Sequence, residues 1–306
     1  MSSSAQSRSL PAPTAAASLR QESATAVTRR RTDLLMRVLL GLCLVLALLP
    51  LSLIILVTLQ QGTATMSLEF LTSTQPLSYR AFGGGFLHGL VGTAMMLGLA
   101  ILISVPLGIA ASIFLVEYRT SRLALPVRFF TDVMTGVPSI FVGLFVYAAL
   151  VREAGIGFGT LVGGVALAIL MLPIVVRSAE EILKLVPADL RSASTAMGAR
   201  RWQTTLFVVL PAAAPGLTTG VMLAIARGAG ETAPLILTAF GTAYLVTDLV
   251  GRAQTALPLL IFEQARQPFE AAQGRAWAGA LELVAVVLLL TVAARLIGGR
   301  SRYSRP

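Results

Sequence analysis

The sequence has very little of three residue types that carry much of enzyme chemistry: 306 residues include one cysteine, one histidine and one lysine. The single cysteine, Cys43, rules out an intrachain disulfide. The only lysine, Lys184, lies in Glu-Ile-Leu-Lys-Leu-Val, so the chain has no Gly-rich phosphate loop ending in Gly-Lys-Ser/Thr. The only histidine, His88, has neither a metal-ligand cluster nor a nucleophile-elbow sequence to act with. We therefore expect no enzymatic activity, no bound metal and no cofactor in this chain.

Charge is also scarce, and this scarcity sets the class of protein. Charged residues make up 12% of the chain and hydrophobic residues 56%, which excludes an ordinary soluble domain. A helix needs about 20 residues to cross roughly 30 Å of hydrocarbon, and backbone groups there must be hydrogen-bonded within the protein. The sequence therefore predicts an all-α, polytopic membrane protein.

Apolar runs of spanning length occur six times along the chain, so we expect about six transmembrane helices, with a core over residues 87–296. The runs lie near residues 38–59, 87–116, 129–150, 161–176, 205–226 and 276–296. A shorter apolar run, 233–240, follows the fifth. It either extends the fifth helix or forms a re-entrant element, and hydropathy leaves both alternatives open.

Basic residues mark one side of this six-span arrangement. Four regions on that side, both termini and two loops, hold most of the 24 Lys and Arg residues. They are Arg8, Arg20, Arg29, Arg30, Arg31, Arg37, Arg119, Arg122, Arg128, Arg177, Lys184, Arg191, Arg200, Arg201, Arg295, Arg300, Arg302 and Arg305. Because cytoplasmic loops are enriched in Lys and Arg, both termini are predicted to be cytoplasmic. The net charge of +10 therefore indicates topology and not nucleic-acid binding.

The first 33 residues differ from the rest in composition. They are rich in Ser, Ala, Thr, Gln and Arg without apolar periodicity, so residues 1–33 are predicted to be a disordered cytoplasmic tail. The apolar run that follows is longer than the core of a signal peptide, about 7 to 15 residues, and is expected to remain as an anchor. Residues 34–306 then form the transmembrane domain.

Arg227 and Glu231 stand four residues apart in an otherwise apolar stretch, 223–241. A charge at bilayer depth costs roughly 2.5 to 3.5 kcal/mol on insertion scales, so it usually faces a protein interior or a water path. The spacing allows an ion pair one helical turn long. Two interpretations stay open: the pair lines a transport path, or it only fixes the helix bundle.

The loop over residues 177–204 is the longest on the basic side. Within it, residues 187–198 are predicted to form a short helix, with Pro187 near its first turn and Gly198 as its stop. Leu190, Ala193 and Met197 would share one face. This helix is either a surface connector or a docking helix for a cytosolic partner.

Residues of this loop, together with those just after it, resemble a known family. Ser192-Ala193-Ser194, then Gly198, then Val208-x-Leu210-Pro211 is similar to the EAA motif of ABC-importer permeases, which reads Glu-Ala-Ala, three residues, Gly, nine residues, Ile-x-Leu-Pro. The spacing fits at every position, although Ser192 replaces the usual Glu. The resemblance implies that Ser192, Ala193, Ser194, Met197 and Gly198 contact an ATPase.

Within that family, the chain most resembles phosphate permease subunits of the PstA type. The resemblance is carried by residues 136–143, 172–177, 198–203 and 227–241, the last reading Arg-Gly-Ala-Gly-Glu-Thr-Ala-Pro-Leu-Ile-Leu-Thr-Ala-Phe-Gly. It implies a type I ABC-importer fold in the bacterial inner membrane. It also implies a second homologous permease, a cytosolic ATPase homodimer that binds ATP and Mg²⁺, and an extracytoplasmic phosphate-binding protein.

A guanidinium suits a phosphate anion because its planar donors match the oxygens. Arg227 and Arg177 are the candidates for the pathway, with Glu231 as a partner that holds Arg227 in place. Arg177 has a simpler explanation too, since an arginine at a cytoplasmic helix end satisfies the positive-inside rule alone.

Two alternative functions stay open at this stage. A permease for sulfate or molybdate shares the fold and mechanism. A self-sufficient ion-coupled transporter would need its own coupling-ion site, whereas the spans show no acidic cluster and the loop resembles a docking element.

Overall fold

The computed structural model describes residues 15–299, and in this part of the chain every regular segment is helical, as predicted. The helices are α1 (Ala15–Thr65), α2 (Leu68–Thr72), α3 (Leu87–Glu117), α4 (Ala124–Gly136), α5 (Ser139–Val146), α6 (Thr160–Lys184), α7 (Ala188–Ala196), α8 (Arg201–Thr204), α9 (Leu210–Ala229), α10 (Ala233–Thr238), α11 (Leu257–Ala265) and α12 (Glu270–Gly299). Two π-helical segments, Tyr147–Glu153 and Thr205–Val209, follow α5 and precede α9.

The chain divides into two compact units, residues 1–57 and 58–306. The described part of the first unit belongs to α1, whose side chains from Leu34 to Leu56 are exposed and mostly apolar. Of the tail predicted for residues 1–33, residues 15–33 belong to α1, whereas residues 1–14 lie outside the described part. Ala, Leu, Arg, Gln and Glu are all good helix formers, so this segment favours a helix without an apolar face.

Between residues 15 and 299, five helical stretches are long and apolar enough to cross a membrane, and the count reaches six if α4 and α5 form one broken span. The predicted third span, 129–150, is not one straight helix: the pair bends by 107° between α4 and α5. Pro138 explains the break, since proline disfavours the helical conformation of the residue before it, and Val137 is extended (φ −72°, ψ 125°).

Helices α3 and α6 form the centre of the second unit and run parallel to each other. Gly163 of α6 lies against Met96 of α3, and Gly108 of α3 lies against Val175 of α6. A Cβ atom at Gly108 would lie 2.6 Å from Cγ1 of Val175, so the two backbones approach too closely for a larger residue. The contacts advance in the same direction along both helices, which defines their parallel arrangement.

Helix α9 runs antiparallel to α6. Gly220 lies against Ser178 near the end of α6, whereas Gly228 lies against Met171 near its middle. Because α7 follows α6 after three residues, we call the end at which α3 and α6 finish the α7 end. Residues 177–184, predicted as the start of a loop, are the last two turns of α6.

At the opposite end, where α3 begins, a buried arginine of α12 organises the preceding loop. Arg275 donates to the carbonyl oxygens of Tyr79 (3.1 Å) and Gly83 (3.4 Å). The Tyr79 hydroxyl donates to the carboxylate of Glu263 in α11. That hydrogen bond, with burial and the charge of Glu263, raises the pKa of Tyr79 to about 12. The hydroxyl is protonated at neutral pH, as an ordinary tyrosine is, and its hydrogen bond attaches the loop to α11.

Candidate functional site

A break in the backbone separates α9 from α10. Helix α9 ends at Ala229, Gly230 caps it, and α10 begins at Ala233. The contact between Gly228 and Met171 places this break beside the middle of α6, which spans Thr160–Lys184. The break is therefore far from both ends of the spans, at the depth where many transporters bind their substrates between discontinuous helices.

The break between α4 and α5 lies at the same depth. Val137, at that break, lines one apolar cavity together with Ile169 and Leu170 of α6. Helices α5 and α10 pack directly on each other, because a Cβ atom at Gly143 would lie 2.6 Å from the Cα atom of Pro234. Two discontinuous helices thus meet beside the middle of α6.

Arg227 lies in the last turn of α9 and Glu231 lies within the break that follows, and their predicted pairing is present. Nε of Arg227 lies 3.3 Å from Oε1 of Glu231. The Arg227 side chain is 62% exposed on this chain, whereas that of Glu231 is 17% exposed. The guanidinium therefore points out of the helix bundle of this chain and is open to a ligand or to another subunit.

This geometry leaves the guanidinium available for anion binding. Within the described residues, Glu231 is the ion-pair partner of Arg227, and the hydrogen bond comes from Nε. The two terminal nitrogens of the fork can then donate to the oxygens of an oxyanion. A weak contact of this kind is easily exchanged, since exposed ion pairs contribute about 0 to 1 kcal/mol.

Arg177 has a different environment from Arg227. It forms an ion pair with Asp132 of α4, and both side chains are about two-fifths exposed. Asp132 was missed in the sequence, because it lies 45 residues from Arg177 and no short spacing indicates that the two meet. The structure therefore joins Arg177 to α4 and does not join it to the Arg227 pair.

A second charged cluster lies next to Arg177 on α6. The buried carboxylate of Glu180 accepts from Arg128 of α4 at 2.5 Å and lies 2.7 Å from Nζ of Lys184. Two cations compensate the one buried anion, which offsets the cost of removing it from water. Together with the Arg177–Asp132 pair, this cluster ties α4 to α6 near the α7 end.

The short helix predicted in the loop is α7, and its ends are as expected. Pro187 precedes it, and Gly198 follows it with a φ of +85°. The amide of Gly198 donates to the carbonyl of Thr195 (3.0 Å), and that of Ala199 donates to the carbonyl of Ser194 (3.2 Å). These two bonds form a Schellman motif, in which glycine suits the left-handed position.

The residues that resemble the EAA motif divide between the two faces of α7. Ser192, Ala193 and Met197 are exposed, and Met197 is 88% exposed. Ser194 is half-buried, and its hydroxyl lies 2.9 Å from that of Thr204 in α8. The exposed face is therefore free for a partner, whereas Ser194 attaches α7 to the next helix.

Comparison with known proteins covers both regions. Residues 104–303 match the family described as binding-protein-dependent transport system inner membrane component. The phosphate transport system permease protein PstA of Yersinia pestis is 42% identical over 247 residues, which are 80% of this chain and 83% of that protein. PstA 1 of Mycobacterium tuberculosis (strain CDC 1551 / Oshkosh) is 38% identical over 255 residues, 83% of this chain and 84% of that protein.

Solved structures support the fold. An inward-facing MetNI methionine ABC transporter matches with a TM-score of 0.58 over 71% of this chain and 94% of that chain, at 20% identity. This likeness concerns the arrangement of helices alone. It confirms the predicted permease fold.

Proposed function

Because this chain belongs to the family of binding-protein-dependent transport system inner membrane components, we propose that it is the permease subunit of an ATP-driven importer of inorganic phosphate. The main support for phosphate as the substrate is the similarity to PstA proteins over four-fifths of the chain. The second support is an arginine at mid-depth, Arg227. The chain is a transport subunit and not an enzyme, so ATP hydrolysis takes place in a partner.

Arg227 is the residue that we assign to the phosphate itself. It lies at a helix break beside the middle of α6, and its two terminal nitrogens can form bidentate hydrogen bonds with the anion. Between transport events, Glu231 holds the guanidinium in place. Its negative charge also lowers the net attraction of the guanidinium for phosphate. Partial neutralisation favours transit, because very tight binding would delay release. Arg177 contributes a weaker contact with phosphate, since its guanidinium already forms an ion pair with Asp132.

The proposed complex has three further components. A second homologous permease completes the pathway, and its position is opposite the exposed Arg227. A cytosolic ATPase homodimer, which binds ATP and Mg²⁺, contacts the exposed face of α7 around Ser192, Ala193, Met197 and Gly198. An extracytoplasmic binding protein delivers phosphate to the other end. Closure of the ATPases then moves α7 and switches the spans between inward-open and outward-open states.

Orientation follows from this assignment. The family is an inner-membrane component, and the chain crosses the membrane several times. We place the α7 end and both termini in the cytoplasm, because the α7 end collects Arg119, Arg122, Arg200 and Arg201. The Tyr79–Arg275 loop region is then extracytoplasmic.

Uptake by the complete complex tests the substrate. Radiolabelled phosphate uptake is measured in vesicles that contain the purified complex, its binding protein and internal ATP, with a tenfold excess of unlabelled sulfate, molybdate or phosphate. We expect unlabelled phosphate alone to compete. Competition by sulfate or molybdate as strong as that by phosphate would contradict the assignment and favour a permease for another oxyanion.

A further inference from the structure

The inner side of α7 is attached to two other helices by one side chain. The Arg191 guanidinium forms an ion pair with Glu117, the last residue of α3. It also donates to the carbonyl oxygen of Leu183, in the last turn of α6, at 3.0 Å. The Arg191 and Glu117 side chains are 24% and 15% exposed, so solvent screens this pair less than a surface pair.

A second arginine, in the helix that follows α7 along the chain, contacts the same end of α3. The guanidinium of Arg201, in α8, lies 5.6 Å from the ring centre of Tyr118, the residue after Glu117. Tyr118 in turn stacks on Phe114 at 5.8 Å. The two elements around the Gly198 turn therefore both contact the end of α3, by an ion pair and by a cation–π contact.

Helix α3 extends from this attachment to the break beside Arg227. A Cβ atom at Gly228 would lie 3.3 Å from Cδ1 of Leu97 in α3 and 2.7 Å from the sulfur of Met171 in α6. From Leu97 to Glu117 α3 is one continuous helix of 20 steps with Pro106 inside it, about 30 Å long at 1.5 Å per residue. Gly228 is the neighbour of Arg227, so α3 connects the α7 end directly to the proposed phosphate contact.

We propose that Arg191 is a positioning residue that fastens α7 to the end of α3, so that a displacement of α7 moves α3 and, through Leu97, the segment that holds Arg227. This inference rests on the proposed function, in which the ATPase displaces α7. Arginine suits the role because its rigid fork bonds acceptors on two helices at once, whereas a lysine offers a single point of charge. Fastening α7 to α3 affects the coupling of ATP hydrolysis to transport. It does not affect ATPase binding, since Arg191 lies on the half-buried side of α7.

The experiment measures phosphate transported per ATP hydrolysed in vesicles that contain the complete complex, together with the amount of ATPase that copurifies. We expect Arg191→Gln to lower this ratio about fivefold, the lower limit of typical coupling between sites, with unchanged ATPase copurification. The control is Arg122→Gln, which removes an exposed arginine five residues after Glu117 and should leave the ratio unchanged. A ratio that Arg191→Gln leaves unchanged overturns the fastening.

A double-mutant cycle separates a pair from two independent residues. If Arg191 acts through Glu117, the variant that combines Arg191→Gln with Glu117→Gln has a ratio no lower than Arg191→Gln alone. If the double variant instead lowers the ratio by the product of the two single effects, the inference is overturned. Should Arg191→Gln reduce the amount of chain in the membrane, Arg191→Lys decides in its place: it keeps the charge near Glu117 but cannot bridge both helices, so a lowered ratio supports the fastening and an unchanged ratio overturns it.

The same preparation distinguishes this inference from the proposed function beneath it. Met197→Glu places a charge on the exposed face of α7, away from Arg191. We expect it to displace the ATPase from the complex. If Met197→Glu leaves ATPase copurification and transport unchanged, docking on α7 fails as a proposal. If it displaces the ATPase while Arg191→Gln changes nothing, docking stands and only the fastening is overturned.

Discussion

Arg227 at the break after α9 and Arg191 at the α7 end are held in opposite ways. Arg227 meets Glu231 of its own segment at 3.3 Å, and most of its side chain is exposed. Arg191 is half-buried and bonds α3 and α6 together. Near the same end, the buried Glu180 accepts from two cations. A loosely held guanidinium can exchange its partner for a passing anion, whereas a firmly held one transmits a displacement.

The largest effect is expected at the loosely held arginine. Arg227→Gln removes the charge and leaves a shorter polar side chain, and hydrogen bonds to a charged group contribute about 1.5 to 3 kcal/mol. We therefore expect phosphate uptake to fall by about tenfold to a hundredfold while the complex still assembles.

Arg252→Gln is the matched control for that variant. Arg252 also pairs with a carboxylate four residues away, Asp248 at 3.4 Å, and its side chain is 71% exposed, but it lies in the loop between α10 and α11. Uptake by Arg252→Gln should equal that of the unmodified complex. Normal uptake by Arg227→Gln would remove the pathway role and leave the pair as a structural contact.

The next effect is expected at the end of α7. Gly198→Leu forces a β-carbon onto a left-handed residue, which costs about 1 to 2 kcal/mol, although open space surrounds the position. We expect the turn to shift and phosphate transported per ATP hydrolysed to fall about tenfold.

Gly251→Leu provides the same strain elsewhere, since Gly251 has a φ of +81° and open space around its α-carbon. Its transport ratio should be unchanged. If both glycine variants lower the ratio equally, strain in general and not the shape of α7 is responsible.

A smaller effect should follow from freeing the guanidinium. Glu231→Gln removes the carboxylate that competes with the anion, so phosphate is held more firmly and released more slowly. Exposed ion pairs contribute up to about 1 kcal/mol, which limits the decrease in uptake rate to roughly fivefold. The measurement is the maximal uptake rate at saturating binding protein, and an increased rate would contradict the assigned role of Glu231.

The smallest effect is expected at Arg177. Because Asp132 holds it, Arg177→Gln should lower uptake no more than about twofold, and Asp132→Asn should have the same effect through the same pair. A loss as large as that of Arg227→Gln would move Arg177 into the main pathway.

Local features were predictable from the sequence because neighbouring residues determine them. The α7 helix follows from Pro187, the spacing of its apolar residues and the Gly198 stop. The contact between Arg227 and Glu231 follows from their spacing of four residues, although Glu231 lies just beyond the end of α9. The number of spans follows from the length of the apolar runs.

Features that join distant segments were not predictable. Arg191 and Glu117 are 74 residues apart, and no periodicity indicates that they meet. The break at Val137–Pro138 also escaped prediction, because a proline inside an apolar run permits either a kinked span or two separate helices. In the structure α4 and α5 bend by 107° at this break, and α5 packs against α10.

Transport by this chain without its ATPase tests the central claim most directly. The purified chain is placed in phosphate-free vesicles, alone or in the complete complex with binding protein and internal ATP, and radiolabelled phosphate uptake is followed. Uptake is expected in the complete complex alone and should stop when ATP is omitted. Sustained phosphate uptake by the chain alone would contradict the account, because the driving force would then arise within this chain.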